Sequence, residues 1–363
     1  MRPFIIASLL VLTAGCASHK PLVGQRLPRQ GDEIVVCGQL YHTGAPVVLW
    51  TDPGGYDAYR TERRFAPWDE ASWDKTLEKY KDDKARVNSP NRYGIRFAPG
   101  SDDPGDGPLT PEQFDQVRGG GWPLELLKQK VDQFVYHYDV ASTSHSCFAT
   151  LHDSRGLSVQ FMLDLDGTIY QTLDVKERAW QATKANSRSV GIEICNIGAY
   201  PPENSKTLDE FYRKDSTGRT RIVLPAYAKA SWIRTPNFVG RPIREDAVVG
   251  EIQHTTYKQY DLTPQQYDSL IKLTATLCTV LPKITPDYPR DEHGHLITHA
   301  LSPEQYDKYH GLLGHYHVQT NKQDPGPAFQ WDKVTNGARA LMGLKPLPPG
   351  DIINEPKQSL AQK

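Results

Sequence analysis

The chain has 363 residues, 38% of them hydrophobic, and a formal net charge of -1 at neutral pH. This length suffices for one large domain with additions or for two domains. The near-neutral charge gives no support for a polyanionic partner, so we expect no nucleic-acid binding. Beyond the first residues, no apolar run approaches the roughly 20 residues of a membrane-spanning helix, so we expect the mature chain to be soluble.

The first sixteen residues have the pattern of an export signal. A short basic start precedes an apolar stretch at 4–12, and small residues lead to Cys16. The pattern resembles a bacterial lipoprotein signal, in which cleavage leaves a lipidated N-terminal cysteine, here Cys16. Thr13 stands where such signals usually carry leucine, and an ordinary secretory signal is the alternative. The residue after Cys16 is Ala17, not the aspartate that retains many lipoproteins in the inner membrane. We therefore expect a cell-envelope protein that is lipid-anchored at the outer membrane and faces the periplasm.

Four cysteines remain after Cys16, namely Cys37, Cys147, Cys195 and Cys278. Export permits disulfides, and the sequence does not choose among the three possible full pairings. The absence of a Cys-x-x-Cys pair argues against a cysteine zinc knuckle.

Composition divides the chain into five predicted segments. They are a signal with its lipidation cysteine (1–16), a polar tether (17–31), an N-terminal elaboration packed on the main domain (32–130), the main domain (131–344) with an insertion at about 200–261, and a flexible, proline-rich tail (345–363). The N-terminal elaboration contains two predicted strands, 33–37 and 46–50, and a helix that Thr110 caps.

The main domain alternates between predicted strands and helices. Asp166-Gly167 is a strong hairpin signal between two strands. Thr263 opens the clearest helix, in which apolar residues recur every three or four positions as far as Pro282. Periodicity also predicts strands at 134–137, 159–165, 168–172 and 190–195 and a helix at 144–152. We therefore predict an α/β (α+β) fold with a central, mostly antiparallel or mixed sheet flanked by helices.

A candidate metal site involves His137 and the segment 314–331. His137 ends a buried strand, and His315 begins the second segment. Asp324 precedes Pro325, which favours extended backbone, so that Lys322 and Asp324 face the same side. The combination makes sense if His315 and Asp324 bind a metal while Lys322 faces a substrate.

Glu193 is a second candidate, because it interrupts an apolar strand. Ile192 and Ile194 take one face of the strand and leave Glu193 on the other, with Gly191 and Cys195. Burying a carboxylate is costly unless it is paired or used. General base catalysis is one such use, and a buried ion pair is the alternative.

These motifs together resemble the zinc-dependent type-2 N-acetylmuramoyl-L-alanine amidases, a family related to peptidoglycan-recognition proteins. Lys-Gln-Asp-Pro-Gly-Pro-Ala-Phe at 322–329 is the most specific of them, and the Asp-Gly hairpin is the least specific. The matching stretches appear in the family's order and cover roughly half of the mature chain. They are 136–137, 161–171, 177–180, 189–193 and 322–329.

The resemblance implies a peptidoglycan-recognition-protein-like fold and one zinc ion held by His137, His315 and Asp324. It also implies that Glu193 moves the proton of the attacking water and that Lys322 stabilises the oxyanion. The implied partner is peptidoglycan or its muropeptides, with the membrane contacted by the lipid anchor only. The implied reaction is hydrolysis of the amide between N-acetylmuramic acid and L-alanine, in cell-wall turnover or recycling.

Some features depart from the family pattern or leave alternatives open. Relatives commonly show Trp-His-Ala where this chain has Trp-Gln-Ala, with Gln181 in the middle. His317 is a competing metal ligand, and Lys322 is alternatively a solvated loop lysine. At the level of function, the alternatives are a peptidoglycan-binding lipoprotein without catalysis and a hydrolase that cuts a different amide.

Overall fold

A computed structural model describes residues 23–24, 27–59, 78, 93–99 and 107–354. The predicted signal with Cys16, most of the tether and residues 355–363 lie outside the described residues. The chain divides into residues 1–30 and a compact unit of residues 31–363. No helix among the described residues is long and apolar enough to cross a bilayer.

The strands of the described chain form one large sheet and four small two-stranded sheets. Their bounds are β1 Glu33–Val36, β2 Gln39–His42, β3 Val47–Leu49, β4 Tyr93–Gly94, β5 Gln133–Tyr138, β6 Phe161–Leu163, β7 Ile169–Gln171, β8 Arg178–Ala179, β9 Ser189–Ile194, β10 Tyr212–Lys214, β11 Thr220–Ile222, β12 Val248–Ile252, β13 Thr255–Gln259 and β14 Gly311–Gly314.

The α-helices of the described chain lie mainly around the large sheet. Their bounds are α1 Pro111–Val117, α2 Leu124–Lys130, α3 Ser144–Phe148, α4 Lys206–Phe211, α5 Pro264–Val280, α6 Pro303–Lys308, α7 His315–Val318 and α8 Trp331–Leu341. A π-helical turn, Ala149–Ser154, continues α3. Thr110 and Thr263 begin α1 and α5 as predicted, each with a capping box.

The central sheet has the strand order β14-β5-β9-β6-β7-β3. The predicted mixed sheet flanked by helices is confirmed, but the expectation that it is mostly antiparallel is wrong. Among the described strands of the central sheet, only β6 and β7 pair antiparallel, and the other four neighbouring pairs are parallel. The reason is the connections: a tight turn joins β6 to β7, whereas β5 and β9 are separated by a long crossover with helical segments, as parallel pairs require.

The turn between β6 and β7 follows the predicted Asp-Gly pattern. Gly167 has φ +84°, a conformation that residues with a Cβ rarely adopt. The Gly167 amide donates to the Asp164 carbonyl at 3.0 Å, and the Thr168 amide donates to Asp166 Oδ1 at 3.0 Å. This hairpin therefore fixes the position of β6, which pairs with β9 at the centre of the sheet.

The two faces of the sheet serve different purposes. Phe134 and Tyr136 of β5 and Val190 and Ile192 of β9 belong to the main core, which α5 and α8 cover. The alternate residues, including His137, face the other way. The opposite face also buries apolar residues, such as Val135 and Leu313, but at the ends of β5 and β9 it carries polar groups.

The N-terminal additions are tied into this unit. Strand β3 is an edge strand of the central sheet, parallel to β7. Arg96 is fully buried, and its guanidinium donates to the carbonyls of Ser187 and Ser189 at 2.8 Å each. These bonds connect the N-terminal part to the start of β9. The four cysteines after Cys16 are all free thiols.

The segment 345–354 differs from the flexible tail that its composition predicts. Gly350 accepts a hydrogen bond from the Leu296 amide at 2.8 Å, and the buried Asp351 carboxylate accepts from the Trp331 amide at 2.9 Å. Proline and glycine exclude a helix here, but they do not exclude an irregular segment whose polar groups find partners on the domain.

Asp164 provides a pH-dependent stability prediction. Burial raises the pKa of this fully buried carboxyl from 3.8 to about 7. The folded state thus favours the protonated form, and the associated stability is present below about pH 4 and lost as the pH rises through 7. We expect Asp164→Asn to remove up to about 4 kcal/mol of this pH dependence.

Urea unfolding between pH 4 and pH 8, with a chelator present, measures this difference. The exposed Asp268→Asn on α5 serves as the control and should run parallel to the wild type. A free-energy difference between Asp164→Asn and wild type that stays constant with pH would show that Asp164 does not titrate as described.

Candidate metal centre

His137, His315 and Asp324 converge at one end of the central sheet. Strands β5 and β14 are parallel neighbours, with Tyr136 opposite Gly314, so the residues that follow them lie side by side. The two histidine Nδ1 atoms are 3.0 Å apart, and Asp324 Oδ2 lies 2.9 Å from each of them. The three residues are only 2%, 5% and 7% exposed. The sequence prediction that these three residues share one site agrees with this geometry.

The outer nitrogens of both rings are held by amide groups. His137 Nε2 lies 2.9 Å from Gln181 Oε1, and His315 Nε2 lies 2.7 Å from Gln319 Oε1. An amide oxygen only accepts hydrogen bonds, so each Nε2 carries the ring proton. In a neutral ring, each Nδ1 then presents a lone pair toward the other Nδ1 and toward Asp324.

This arrangement fits a divalent cation. Two lone pairs and a carboxylate oxygen facing one another at 2.9–3.0 Å lack a donor unless a ring is protonated or a cation joins them. Burial lowers the pKa of His137, helped by the nearby His315, and so favours its neutral form. Burial alone would raise the pKa of Asp324, but the proximity of His315 and His137 outweighs burial, so this pKa lies below its ordinary value and the carboxylate is ionised. Imidazole nitrogens and a carboxylate oxygen are typical zinc ligands.

The alternative ligand His317 lies outside this cluster. Its Nδ1 accepts from the Gly314 amide at 2.9 Å, and its Nε2 donates to the Ile297 carbonyl at 2.6 Å. Burial lowers the pKa of His317 to about 3. Both ring nitrogens are thus used for structure, and the expectation that His315 rather than His317 belongs to the cluster agrees with the structure.

One other group of potential ligands occurs within the described ranges, formed by Asp32, Glu33 and His42. His42 is exposed there, and Glu33 Oε2 accepts hydrogen bonds from the amides of Gly31 and Asp32. The Glu33 carboxylate therefore has a structural role. This group, with its exposed histidine, differs from the buried cluster of His137, His315 and Asp324.

Glu193 lies beside the candidate metal centre. His137 and Glu193 are opposite each other in the parallel pair of β5 and β9, so their side chains share a face. No hydrogen bond or ion pair joins the Glu193 carboxylate to another residue in the described part of the chain, and the alternative of a buried ion pair does not apply there. Burial raises the pKa of Glu193 well above its ordinary value, and the carboxylates of Asp324 and Asp139 raise it further.

Lys322 reaches the same groove. The groove has a volume of about 500 Å³ and is lined by the candidate ligands, Glu193 and Lys322, with Arg155 and Trp180 also at its walls. The Lys322 ammonium has no ion-pair partner among the residues that the structure describes. The predicted proximity of a lysine to the metal ligands agrees with this placement. A carboxylate and an ammonium, both without hydrogen-bond or ion-pair partners in the part of the chain that the structure describes, thus face a groove with three candidate metal ligands.

The outer partners Gln181 and Gln319 were not predicted as such from the sequence. Gln319 lies four residues after His315, a spacing at which helical side chains meet. For Gln181, the signal was its position in Trp-Gln-Ala, where relatives carry histidine.

A mixed sheet that brings two histidines and an aspartate together beside the carboxylate of Glu193 defines a candidate metal-dependent hydrolase. Residues 127–221 match the profile of the N-acetylmuramoyl-L-alanine amidase family. This match covers about a quarter of the chain and includes His137 and Glu193 but ends before His315 and Asp324. Residues 127–221 are thus similar to this amidase family, in agreement with the resemblance that the sequence motifs indicate.

Several solved structures are similar to this chain over about 60% of its length. They include the amidase AmiD from E. coli in complex with an anhydro-N-acetylmuramic acid peptide (18% identity, 62% of this chain and 60% of that chain, TM-score 0.31). They also include the endolysin amidase LysCS from Clostridium intestinale (18%, 60% and 88%, 0.31) and an AmpD derivative (17%, 59% and 86%, 0.29). The chain thus spans 60% of the length of AmiD. No curated protein matches the sequence.

Proposed function

We propose that this protein is a zinc-dependent amidase that hydrolyses the bond between N-acetylmuramic acid and L-alanine in peptidoglycan or its fragments. The observation that carries the proposal is the convergence of His137, His315 and Asp324 beside Glu193 in an open groove. The family match over residues 127–221 supports the choice of bond. Cell-wall turnover or recycling is the cellular role that such a reaction serves.

His137, His315 and Asp324 would hold one zinc ion, as two neutral imidazoles and one carboxylate. Three protein ligands are the usual number in a catalytic zinc site, which keeps a further position for water or substrate. Bound zinc supplies Lewis-acid activation of the attacking water and of the scissile carbonyl. The groove gives a substrate access to these residues.

Glu193 and Lys322 have complementary roles in the proposed reaction. The Glu193 carboxylate accepts a proton from the attacking water and then delivers it to the leaving nitrogen of L-alanine. Its raised pKa suits a group that must both accept and release a proton. The Lys322 ammonium, which lines the same groove, donates to the oxyanion that develops on the lactyl carbonyl.

Loss of the Lys322 ammonium should slow the reaction without removing the metal. We expect Lys322→Ala to lower kcat by about 10²–10³-fold, the usual effect of losing an oxyanion donor. Steady-state rates on a defined muropeptide, with zinc content measured on the same samples, check this. Lys308→Ala, which removes an exposed lysine paired with Glu304 on α6, is the control. Equal kcat values for the wild type and Lys322→Ala would remove Lys322 from the mechanism.

The products of a defined muropeptide test the proposed bond. Mass spectrometry should find an intact stem peptide with a free L-alanine amino group and a sugar that retains its lactyl carboxylate. Fragments cut between peptide residues would instead identify a peptidase. Binding of muropeptides without any product from the zinc-loaded protein would identify a non-catalytic peptidoglycan-binding lipoprotein.

We also propose that lipid on Cys16 anchors the protein at the outer membrane, facing the periplasm. The support is the sequence pattern alone, because Cys16 lies outside the described residues. Membrane fractionation tests it: the wild type should sediment with outer membranes, and Cys16→Ser should not. Wild-type protein in the soluble periplasmic fraction would favour the ordinary secretory signal.

A further inference from the structure

Gln181 occupies the space between His137 and strand β9. Its Oε1 accepts from His137 Nε2 at 2.9 Å, and its Nε2 donates to Ser189 Oγ at 3.1 Å. Ser189, the first residue of β9, is fully buried. The nitrogen of this amide donates to Ser189 and its oxygen accepts from His137. The two hydrogen bonds together define the orientation of the amide.

Gly191 makes room for this amide. A Cβ at position 191 would lie 1.5 Å from Gln181 Oε1. Two non-bonded atoms cannot be so close, so the Gln181 side chain would have to move. Glycine inside a strand weakens the strand and commonly marks a close approach of another group. Here the approaching group is the amide of Gln181, which is flexible enough to be pushed aside at little cost to the fold.

The backbone of Gln181 is held as well. The amides of Gln181 and Ala182 both donate to Asn186 Oδ1, at 3.0 and 2.7 Å. The side chain of Gln181 thus starts from a fixed point and ends between Ser189 and His137. Few rotamers satisfy both ends, so the position of the amide is specified by the surrounding structure.

We infer that Gln181, seated over Gly191, is a positioning residue that sets the tautomer and orientation of His137 for metal binding. An amide oxygen cannot donate a proton, so it keeps the proton of His137 on Nε2 and leaves Nδ1 free for the metal. Because the amide is neutral, it orients the ring without adding negative charge to the site. The inference rests on the proposed metal centre but not on the identity of the bond that is cut.

Zinc affinity, measured by competition with a chelator on the purified protein, tests this role. We expect Gln181→Ala to weaken zinc binding by about 10–100-fold, the usual effect of removing such an outer partner. Gly191→Ala should weaken it by a similar factor, because the new methyl group displaces the amide. The double variant should bind zinc no more weakly than the weaker-binding single variant, since both changes remove the same interaction.

Two further variants separate positioning from general damage. Gln181→Glu keeps an oxygen that accepts from His137 Nε2 and adds a negative charge, so this variant should bind zinc at least as tightly as the wild type. In Gly94→Ala, in the two-stranded sheet of β4 and β8, the new methyl group meets no atom of the described residues within 4 Å and should leave the affinity unchanged. The absorption spectrum of the cobalt-substituted protein should change in Gln181→Ala and Gly191→Ala, because the ligand geometry changes.

If Gln181→Ala had the same zinc affinity and the same cobalt spectrum as the wild type, the inference would be overturned. This outcome can be read even if Gly191→Ala fails to fold. Failure of the proposed function looks different. In that case the wild type would release no stem peptide from muropeptides, while the affinity differences among the variants would remain.

Discussion

Replacing Glu193 with glutamine should abolish most of the hydrolysis of a defined muropeptide while one zinc ion per chain remains bound. Glutamine keeps the size of the side chain but cannot accept the proton of the attacking water. Positioned acid–base groups contribute about 10²–10⁴-fold to rates, so we expect kcat to fall by that factor. Since Glu193 is not among the three candidate ligands, its loss should leave zinc affinity within a few-fold of the wild type.

Stem-peptide release followed by chromatography, with zinc quantified in the same protein, measures both quantities. Glu210→Gln changes an exposed glutamate on α4 and should behave as the wild type. Retention of full activity by Glu193→Gln would exclude Glu193 as the base. Loss of zinc together with activity would mean that Glu193 is a ligand and not a base.

Asp324→Asn should remove both the metal and the activity. The ionised carboxylate is the only negative charge among the three candidate ligands, and asparagine presents a neutral group at the same place. We expect zinc affinity to fall by more than about 100-fold, beyond the loss that an outer partner alone causes. Activity at zinc concentrations that saturate the wild type should fall to background.

Asp32→Asn provides the matched control for this variant. It removes a carboxylate from the other possible ligand group, Asp32, Glu33 and His42. If the buried cluster holds the ion, Asp32→Asn should bind one zinc ion as tightly as the wild type. The reverse pattern, with zinc lost in Asp32→Asn and kept in Asp324→Asn, would place the metal outside the groove.

The site was largely predictable from the sequence because its residues are chemically unusual in their contexts. A histidine ends the apolar strand β5, a glutamate interrupts the apolar strand β9, and Lys322 and Asp324 precede a proline. Burial of such groups is costly without a role, and their combination pointed to one shared site. Their convergence followed because the parallel strands β5 and β14 end at the same edge.

The direction of the strands was less predictable from periodicity. Alternation of apolar residues predicts which residues form a strand, but it does not say which strands become neighbours. The hairpin at Asp166-Gly167 was correctly predicted from its turn residues, but it accounts for a single antiparallel pair in the central sheet, β6 with β7. The alternation of strands with helices between β5 and β9 was the better guide, because crossovers with helices produce parallel pairs.

Segments without periodicity were the hardest to predict. Proline and glycine after Lys345 indicated irregular backbone, but the packing of Gly350 and Asp351 depends on partners at Leu296 and Trp331 that lie far away in the sequence. The hydrogen bond of Gln181 to His137 is of the same kind, since it depends on the space above Gly191. Long-range partners of this sort become visible only in the folded chain.

Anomalous X-ray scattering at the zinc absorption edge, from crystals grown with one equivalent of zinc, tests the metal centre most directly. The account predicts a single peak about 2 Å from the Nδ1 atoms of His137 and His315 and from Asp324 Oδ2. A peak at another place would contradict the account. So would the absence of a peak in crystals whose three side chains keep the positions described above.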